Sequence, residues 1–272
     1  MAIASNSLQE QPVEAPSLLD KLLLPKDKQG TPKIPVLFSV LVIILASVAL
    51  GAYRLYMETT AFTLGLDYFE PEFEIYWMRM LYAQGIVIPL IGAIGLPLIW
   101  FTRPTSDEVH AMPANKELGY YLLIFAIMAA ASFLIVAILG LFVEADAAWH
   151  QVTIRDTDFT PTHIQLFYGV IPIGAVALVL GLVWLHTRMP DYQGRVSIPL
   201  VIIASAPVMI MPNLGYNEWG HTFFYAEELF AAPIHYGFVM LAWGFFAISG
   251  FILECAKRVI ILTKIKDETQ TA

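Results

Sequence analysis

Six long stretches without Asp, Glu, Lys or Arg are the feature that most limits how this chain can fold. They cover residues 34–53, 80–102, 118–143, 159–187, 196–217 and 229–253. Each is near or above the roughly 20 residues that a helix needs to cross about 30 Å of hydrocarbon. A backbone in lipid must satisfy its own hydrogen bonds, which a helix does within one segment. The sequence therefore predicts an all-α integral membrane protein with a bundle of about six transmembrane helices.

The composition agrees with a membrane protein and excludes other classes. Charged residues make up 14% of the chain, whereas a soluble domain carries about 25%. The net charge of −8 then belongs to loops and ends, and no basic stripe predicts binding to nucleic acid. The single cysteine, Cys255, excludes an internal disulfide and a CxxC motif.

The basic residues predict the orientation of the helices. With six spans, the N-terminus, the second and fourth loops, and the C-terminus share one side of the membrane. Twelve of the fifteen lysines and arginines fall on that side, and Arg54, Arg79 and Arg155 fall on the other. Because basic residues are enriched in cytoplasmic segments, we expect both termini to be cytoplasmic.

The N-terminal segment is polar up to the first span and shows no cleavable signal peptide. Within it, Ser17 followed by Asp20 is typical of a helix start, and Pro25 of a helix end. The leucines between them form an apolar face, which predicts a short helix on the cytoplasmic membrane surface; a flexible tail is the alternative. The expected organisation is a cytoplasmic N-terminal segment, a six-span domain and a cytoplasmic tail, at residues 1–33, 34–256 and 257–272.

Four of the six histidines fall into two clusters of the same form. Each cluster has a polar residue of ligand type, a histidine four positions later, and a second histidine 13 or 14 positions after the first. The clusters are Asp146, His150 and His163, and Asn217, His221 and His235. The predicted topology puts all six residues at the outer rim of the bundle, on the periplasmic side. Nitrogen and oxygen ligands in this pattern indicate bound metal.

The spacing also indicates how each cluster would come together. Residues four apart on a helix lie on one face, so each leading pair needs the preceding helix to extend to it. A proline two positions before the later histidine, Pro161 or Pro233, favours the first turn of the next helix. A carboxylate with two imidazoles suits non-haem iron, zinc or copper, and the Irving–Williams order favours copper over iron. The amide of Asn217 makes the second cluster the weaker metal site.

Other interpretations remain open at the level of the residues. The histidine clusters could simply reflect the tendency of polar residues to lie near lipid headgroups. His110 and His186, on the predicted inner side, are interpreted as such interfacial residues and are given no functional role. The outer histidines and acids would also suit a transporter of metal ions or protons, or a subunit that metal stabilises structurally. A transporter is expected to carry polar residues at the membrane midplane, whereas the first, third and sixth stretches are almost wholly apolar there.

Three segments resemble the C subunit of the copper-dependent membrane monooxygenases, the family of particulate methane, ammonia and short-alkane monooxygenases. They are GLDYFEPEFEIYWM at 65–78, DAAWHQVTIRDTDFTPTHIQLFY at 146–168, and PNLGYNEWGHTFFYAEELFAAPIHYGFV at 212–239. The motifs RDTDFTP and APIHYGFV look closer to methane or short-alkane enzymes than to ammonia enzymes. Residues that flank the expected pocket, such as Val143 and Phe224, depart from the common pattern, so ammonia remains a possible substrate.

The resemblance implies a function, a cofactor and partners. Asp146, His150 and His163 match the family's copper site in this subunit and would be catalytic, and the second cluster matches a neighbouring copper site. A complex with an A subunit and a periplasmic copper-binding B subunit is implied, assembled as a trimer of heterotrimers. The implied location is a bacterial cytoplasmic membrane (inner or intracytoplasmic). The implied reaction is oxidation of a small apolar substrate by O2, with reductant from quinol.

Overall fold

Helices make up nearly all of the secondary structure in the part of the chain that the structure describes. The computed structural model describes residues 17–61, 63–64, 69–152, 161–208 and 236–271. Within these ranges the helices are α1 Leu18–Leu23, α2 Val36–Thr60, α3 Pro71–Phe101, α4 Ser106–His110, α5 Ala114–Val152, α6 Pro161–Arg188, α7 Ile198–Val208 and α8 Tyr236–Thr271. Over the same ranges, β-type pairing is confined to an isolated bridge between Lys26 and Pro32. The prediction of an all-α protein is confirmed for this part of the chain.

Four of these helices are long and apolar enough to cross a membrane. They are α2, α3, the first part of α5 (Ala114–Ile138) and α6, and they correspond to the first four predicted spans. The fifth predicted span is described only over α7, and the sixth only from the start of α8. A helical membrane protein with four candidate spans is therefore confirmed. The count of six spans and the cytoplasmic placement of the termini stay predictions.

Helix α5 is much longer than the span predicted for it. Its 39 residues correspond to about 58 Å at 1.5 Å per residue, against about 30 Å of hydrocarbon. The apolar stretch ends before Glu144, but the helical backbone continues to Val152. A charge interrupts the hydropathy pattern without breaking the helix, so α5 carries its last turns beyond its apolar part.

Three pairs of long helices make close contacts within the described ranges. Helix α2 packs along α5, α3 packs along α6, and α8 packs along α5. At the second interface Val176 lies against Gly92 and Leu180 against Gly95, where an added Cβ would be 2.9 Å from the leucine side chain. Small residues allow membrane helices to approach closely. Gly95 therefore allows Leu180 of α6 to lie close to the backbone of α3.

A buried cluster joins α2, α3 and α6 at the end of the bundle that is predicted to face outward. Phe73, Trp77 and Ile164 are each 1% exposed or less. Tyr56 packs edge-on against Trp77, with 5.2 Å between the ring centroids. Because Ile164 directly follows His163, the packing of this cluster fixes the backbone of the first turn of α6.

Ionic contacts hold the opposite end of the bundle, which is the predicted inner end. Arg258 of α8 donates to both carboxylate oxygens of Glu117 at the start of α5, at 2.7 and 2.9 Å, and the Glu117 side chain is 3% exposed. The hydrogen bonds to Glu117 raise the pKa of the Arg258 guanidinium. Nearby, Arg195 pairs with Asp191 at 2.6 Å and with Glu254 at 2.9 Å. These groups join α5, α8 and the segment before α7.

His186 has a structural role that the sequence did not indicate. Its Nδ1 donates to the Leu182 carbonyl within α6 at 2.7 Å, and its Nε2 accepts from the backbone N–H of Ser197 at 3.0 Å. Ser197 immediately precedes α7, so the imidazole joins α6 to α7. His110, in contrast, is exposed and bonds to Ser106 within α4.

The short N-terminal helix α1 forms where the sequence predicts it. The Ser17 hydroxyl accepts from the Asp20 N–H at 3.0 Å, and the Asp20 carboxylate accepts from the Ser17 N–H at 3.2 Å. This reciprocal capping satisfies two donors at the helix start. Leu18 and Leu19 are 85% and 62% exposed. Placement of α1 on the membrane surface stays a prediction, and these leucines would supply the apolar face.

Candidate metal centre at the outer ends of α5 and α6

Asp146 and His150 lie in the last turns of α5. The prediction that these two residues share one helix face required the helix to extend through both positions, and α5 does so. Positions four apart on a helix have Cβ atoms roughly 5–6 Å apart on one face. The backbone of α5 therefore holds a carboxylate residue and an imidazole residue one turn apart near its C-terminal end.

His163 lies in the first turn of α6. Pro161 is the first residue of this helix, as predicted, and proline suits the position because its missing N–H has no helical partner there. His163 is half-buried, and its ring meets Phe167 edge-on at 5.0 Å between centroids. The first turn of α6 packs against α5. The helix that carries the second histidine thus adjoins the helix that carries the other two residues.

Helix α2 holds both of these helices through adjacent residues. The Tyr53 hydroxyl donates to the Pro161 carbonyl at 2.8 Å. The next residue, Arg54, donates to the Leu141 carbonyl of α5 at 2.7 Å and to the Glu58 carboxylate at 2.7 Å. One turn of α2 is therefore hydrogen-bonded to the start of α6 and to the outer part of α5.

A pair of glutamines ties α6 to α3 just beyond His163. The side-chain amides of Gln84 and Gln165 meet at 3.0 Å. With its nitrogen turned toward the carbonyls of α6, Gln84 donates to Ile164 at 2.9 Å and to Tyr168 at 3.3 Å, and its oxygen then faces the Gln165 amide at 3.0 Å. Uncharged polar side chains commonly join helices across a membrane interface in this way. The contact fixes the first two turns of α6 against α3.

The helix of α6 departs from regular α geometry beside these glutamines. It widens into a π turn at Leu166–Val170, a feature that is frequent at functional sites. Pro172 has no N–H for the Tyr168 carbonyl four residues earlier, and Gln84 supplies that carbonyl with a donor. Gly169 makes room for this amide, because a Cβ there would be 3.1–3.3 Å from the atoms of the Gln84 amide group.

An apolar groove opens between α3 and α6 at the same level. Its volume is about 520 Å³, and its lining includes Gln84, Ile88, Tyr168, Pro172 and Val176. Gln84 is also the residue that donates to the carbonyl next to the predicted histidine ligand. The groove and the predicted ligand are therefore linked through one side chain.

The predicted ligands fit a transition-metal site by their chemistry and by the helices that carry them. A carboxylate and two imidazoles suit copper, iron or zinc. Among the side chains that the structure describes, no three His, Cys, Asp or Glu groups converge as a metal site. The predicted set of Asp146, His150 and His163 needs two residues that are described by their backbone alone, so it stays a prediction.

The second predicted cluster is not part of the structural description. Asn217, His221 and His235 all lie outside the described residues, in the gap between α7 and α8. The helix that was expected to carry the first two of them is described as far as Val208. Their role as a metal site stays a prediction from the sequence.

The described helices define the class of the protein. Long apolar helices that pack in pairs make it an integral membrane protein of the helical-bundle type. A sequence profile for the C subunit of ammonia monooxygenase and methane monooxygenase matches residues 31–266. The chain therefore belongs to this family and is a membrane subunit of a monooxygenase complex. None of the curated protein sequences compared with the chain matches it.

Sequence reasoning missed the residues that hold the helices of the candidate centre. Gln84 and Gln165 were visible as amides within otherwise apolar stretches, and polar groups in a membrane are expected to find partners. For Tyr53 and Arg54, the sequence showed only that they lie at the end of the first apolar stretch. Their partners could not be deduced, because the bonds join positions 81 to 108 residues apart.

Proposed function

We propose that the chain is the C subunit of a copper-dependent monooxygenase that hydroxylates a small substrate, with methane or a short alkane favoured over ammonia. One observation carries the proposal. The α5 helix, with Asp146 and His150 one turn apart, packs against the first turn of α6, which carries His163, in a chain of the monooxygenase family. These three residues would hold the catalytic copper.

The chemistry balances with a quinol as reductant. One atom of O2 enters a C–H bond of the substrate and the other leaves as water. Two electrons and two protons come from the quinol, which becomes a quinone. Bound copper would supply the one-electron redox chemistry that O2 requires.

The residues of this chain would hold the metal and limit the access of water. The carboxylate of Asp146 would contribute negative charge, and His150 and His163 would contribute neutral nitrogen donors. Phe167 lies edge-on against the half-buried ring of His163 and would fix its orientation. Support for the imidazoles by neighbouring groups is typical of metal sites.

The apolar groove supports a hydrocarbon substrate. It lies between α3 and α6 and contacts Gln84, whose amide reaches the carbonyl beside His163. A small hydrocarbon gains free energy on leaving water for such a space. Ammonia would lose hydrogen bonds with water there and regain few of them.

The proposal extends to a second metal site and to the partners. Asn217, His221 and His235 would form a weaker copper site, because a neutral amide is a poorer ligand than a carboxylate. The complex would contain an A subunit and a copper-binding B subunit as a trimer of heterotrimers. It would lie in a bacterial inner or intracytoplasmic membrane, with both clusters toward the periplasm.

The experiment that tests the proposal is His150→Ala in the intact complex, purified in lipid. We expect the copper content to fall by the ion held there, and the Cu(II) electron paramagnetic resonance signal with several nitrogen couplings to disappear. Oxidation of methane, propane and ammonia, compared in the same membranes, should fall to background, with methane or propane the best substrate of the wild type.

The matched control is His110→Ala, since His110 is exposed on α4, away from the candidate centre. It should retain the copper, the signal and the activity. Unchanged copper and unchanged activity in His150→Ala would remove the first cluster from the mechanism. Iron or zinc in place of copper in the wild-type complex would overturn the choice of metal.

A further inference from the structure

We infer that Tyr53 and Arg54 are positioning residues for the proposed copper site, because they set the separation of the two helices that carry its ligands. The inference rests on the proposed function, since it takes Asp146, His150 and His163 as the ligands. Neither residue is proposed to touch copper. Each would act through the backbone of the helix to which it bonds.

Tyr53 acts on the start of α6. Its hydroxyl donates to the carbonyl of Pro161 at 2.8 Å, two residues before His163. Tyr53 is half-buried and packs near Tyr56, with 6.3 Å between the ring centroids. A half-buried hydroxyl with a backbone partner holds that partner at one distance. The first turn of α6 is therefore fixed to α2 next to the histidine.

Arg54 acts on α5. One nitrogen of its guanidinium donates to the Leu141 carbonyl at 2.7 Å, five residues before Asp146. At 1.5 Å per residue this bond lies about 7.5 Å along the helix axis from the carboxylate residue. Glu58 accepts from the Arg54 Nε at 2.7 Å, and the arginine side chain is 23% exposed. The ion pair limits the rotation of the guanidinium, so the bond to α5 has a defined direction.

The two residues act together because they are adjacent in α2. Successive residues of a helix point about 100° apart, so one turn of α2 reaches two neighbouring helices at once. The distance from Asp146 and His150 to His163 then depends on both bonds. Metal ligands need to be held within about 0.5 Å of the productive geometry, and loss of a supporting contact typically costs 10–100-fold in affinity.

The test compares Tyr53→Phe with Tyr56→Phe in the copper-loaded complex. Both changes remove one hydroxyl from α2. The Tyr56 hydroxyl also donates to a backbone carbonyl, that of Tyr76 at 2.9 Å, but Tyr76 belongs to α3, which carries no proposed ligand. Copper affinity would be measured by competition with a chelator, and the ligand geometry by the nitrogen couplings of the Cu(II) signal.

We expect Tyr53→Phe to weaken copper binding about tenfold and to shift the Cu(II) parameters, while Tyr56→Phe retains wild-type values. Arg54→Lys keeps the positive charge but has a single donor nitrogen, so it loses the simultaneous contact with Leu141 and Glu58. We expect it to shift the Cu(II) parameters in the same way as Tyr53→Phe, but by a smaller amount. It serves as the second variant where Tyr53→Phe does not assemble. Wild-type affinity and spectrum in Tyr53→Phe, or in Arg54→Lys where that variant replaces it, would overturn the inference.

His163→Ala separates this failure from a failure of the proposed function. If His163→Ala abolishes the signal but Tyr53→Phe leaves it unchanged, the inference about α2 is wrong and the copper site stands. If His163→Ala retains the copper and the signal, the proposed ligand set is wrong, and the inference falls with it.

Discussion

At the scale of single residues, the first turns of α6 show how a polar group can be placed inside a membrane bundle. Pro172 has no N–H to donate to the Tyr168 carbonyl four residues earlier, and Gln84 from α3 donates to that carbonyl at 3.3 Å. Gly169 permits this contact because it has no side chain to displace the amide. The contact of the Gln84 amide with α6 thus involves a proline and a glycine of that helix.

Gly169→Ala is expected to destabilise the protein. The added Cβ would lie 3.1–3.3 Å from the Gln84 amide, which would shift the amide and weaken its bonds to α6. Bonds of this kind between membrane helices contribute about 0.6 kcal/mol on average, with a maximum of about 1.7, so we expect a loss of about 1 kcal/mol. Thermal unfolding of the purified complex, followed by circular dichroism, would measure it.

Gly174→Ala is the matched control on the same helix. A Cβ at that position meets nothing within 4 Å, so the change should be neutral or slightly stabilising, because alanine has the higher helix propensity. The double variant Gln84→Ala/Gly169→Ala should lose less stability than the sum of the two single changes, because they act on one contact. Strict additivity would contradict this account of Gly169.

At the scale of the elements, α5 is the helix that connects the two ends of the molecule. Its inner end is bonded to α8 through Glu117 and Arg258, and its outer part to α2 through the Leu141 carbonyl. Its last turns carry Asp146 and His150. A long helix held at two levels has little freedom to tilt, which suits a helix that would carry two ligands of one site.

Glu117→Gln is expected to loosen the inner end of α5. The amide keeps the size of the buried carboxylate but offers the half-buried Arg258 guanidinium one acceptor oxygen in place of two. We expect a loss of about 2–3 kcal/mol in the free energy of unfolding. The thiol of Cys255, fully buried in the adjoining cluster, reports on the change, because its alkylation by a small maleimide should become faster.

Arg258→Lys provides the comparison for this pair. Lysine keeps the charge but lacks the planar fork that matches a carboxylate. Arg258→Lys should therefore lower the free energy of unfolding less than Glu117→Gln does, and it should speed the alkylation of Cys255 less. If Cys255 in Glu117→Gln reacts as slowly as in the wild type, the ion pair does not hold α5 to α8 in the way proposed here.

At the scale of the whole molecule, polar contacts of two kinds lie at opposite ends of a bundle of apolar helices. The inner end holds charged pairs such as Arg195 with Glu254. The predicted outer end carries the predicted ligands, and within the described part of the chain its helices are joined by the Tyr53 hydroxyl, the Arg54 guanidinium and the Gln84 amide, each bonded to a backbone carbonyl of another helix. If the basic inner end is cytoplasmic, the proposed copper site faces the periplasm.

Cysteine labelling would test this orientation. Asp107→Cys and Glu72→Cys place a thiol at an exposed position on the predicted inner and outer sides. A membrane-impermeant maleimide should label Asp107→Cys in inverted vesicles and Glu72→Cys in right-side-out vesicles. The wild type, whose Cys255 is buried, supplies the background. The reversed pattern would place the predicted metal clusters in the cytoplasm and contradict the proposed location.

The sequence by itself determined the helical class, the first four spans and the capping of α1. It could do so because apolar run length, proline position and the Ser17–Asp20 pattern act locally. It also identified the family and the six candidate ligands, and it placed Pro161 at a helix start. It left the end of α5 open, because a charge such as Glu144 marks the limit of the apolar zone and not the limit of the helix, which continues to Val152.

Only the tertiary structure decided which helices pair and which side chains hold them. The contacts from Tyr53 to Pro161, from Arg54 to Leu141 and from Gln84 to α6 join residues far apart in the chain. A backbone carbonyl has no sequence signature, so its partner cannot be deduced from composition or spacing. The role of His186 between α6 and α7 was hidden for the same reason, since both of its bonds go to backbone groups.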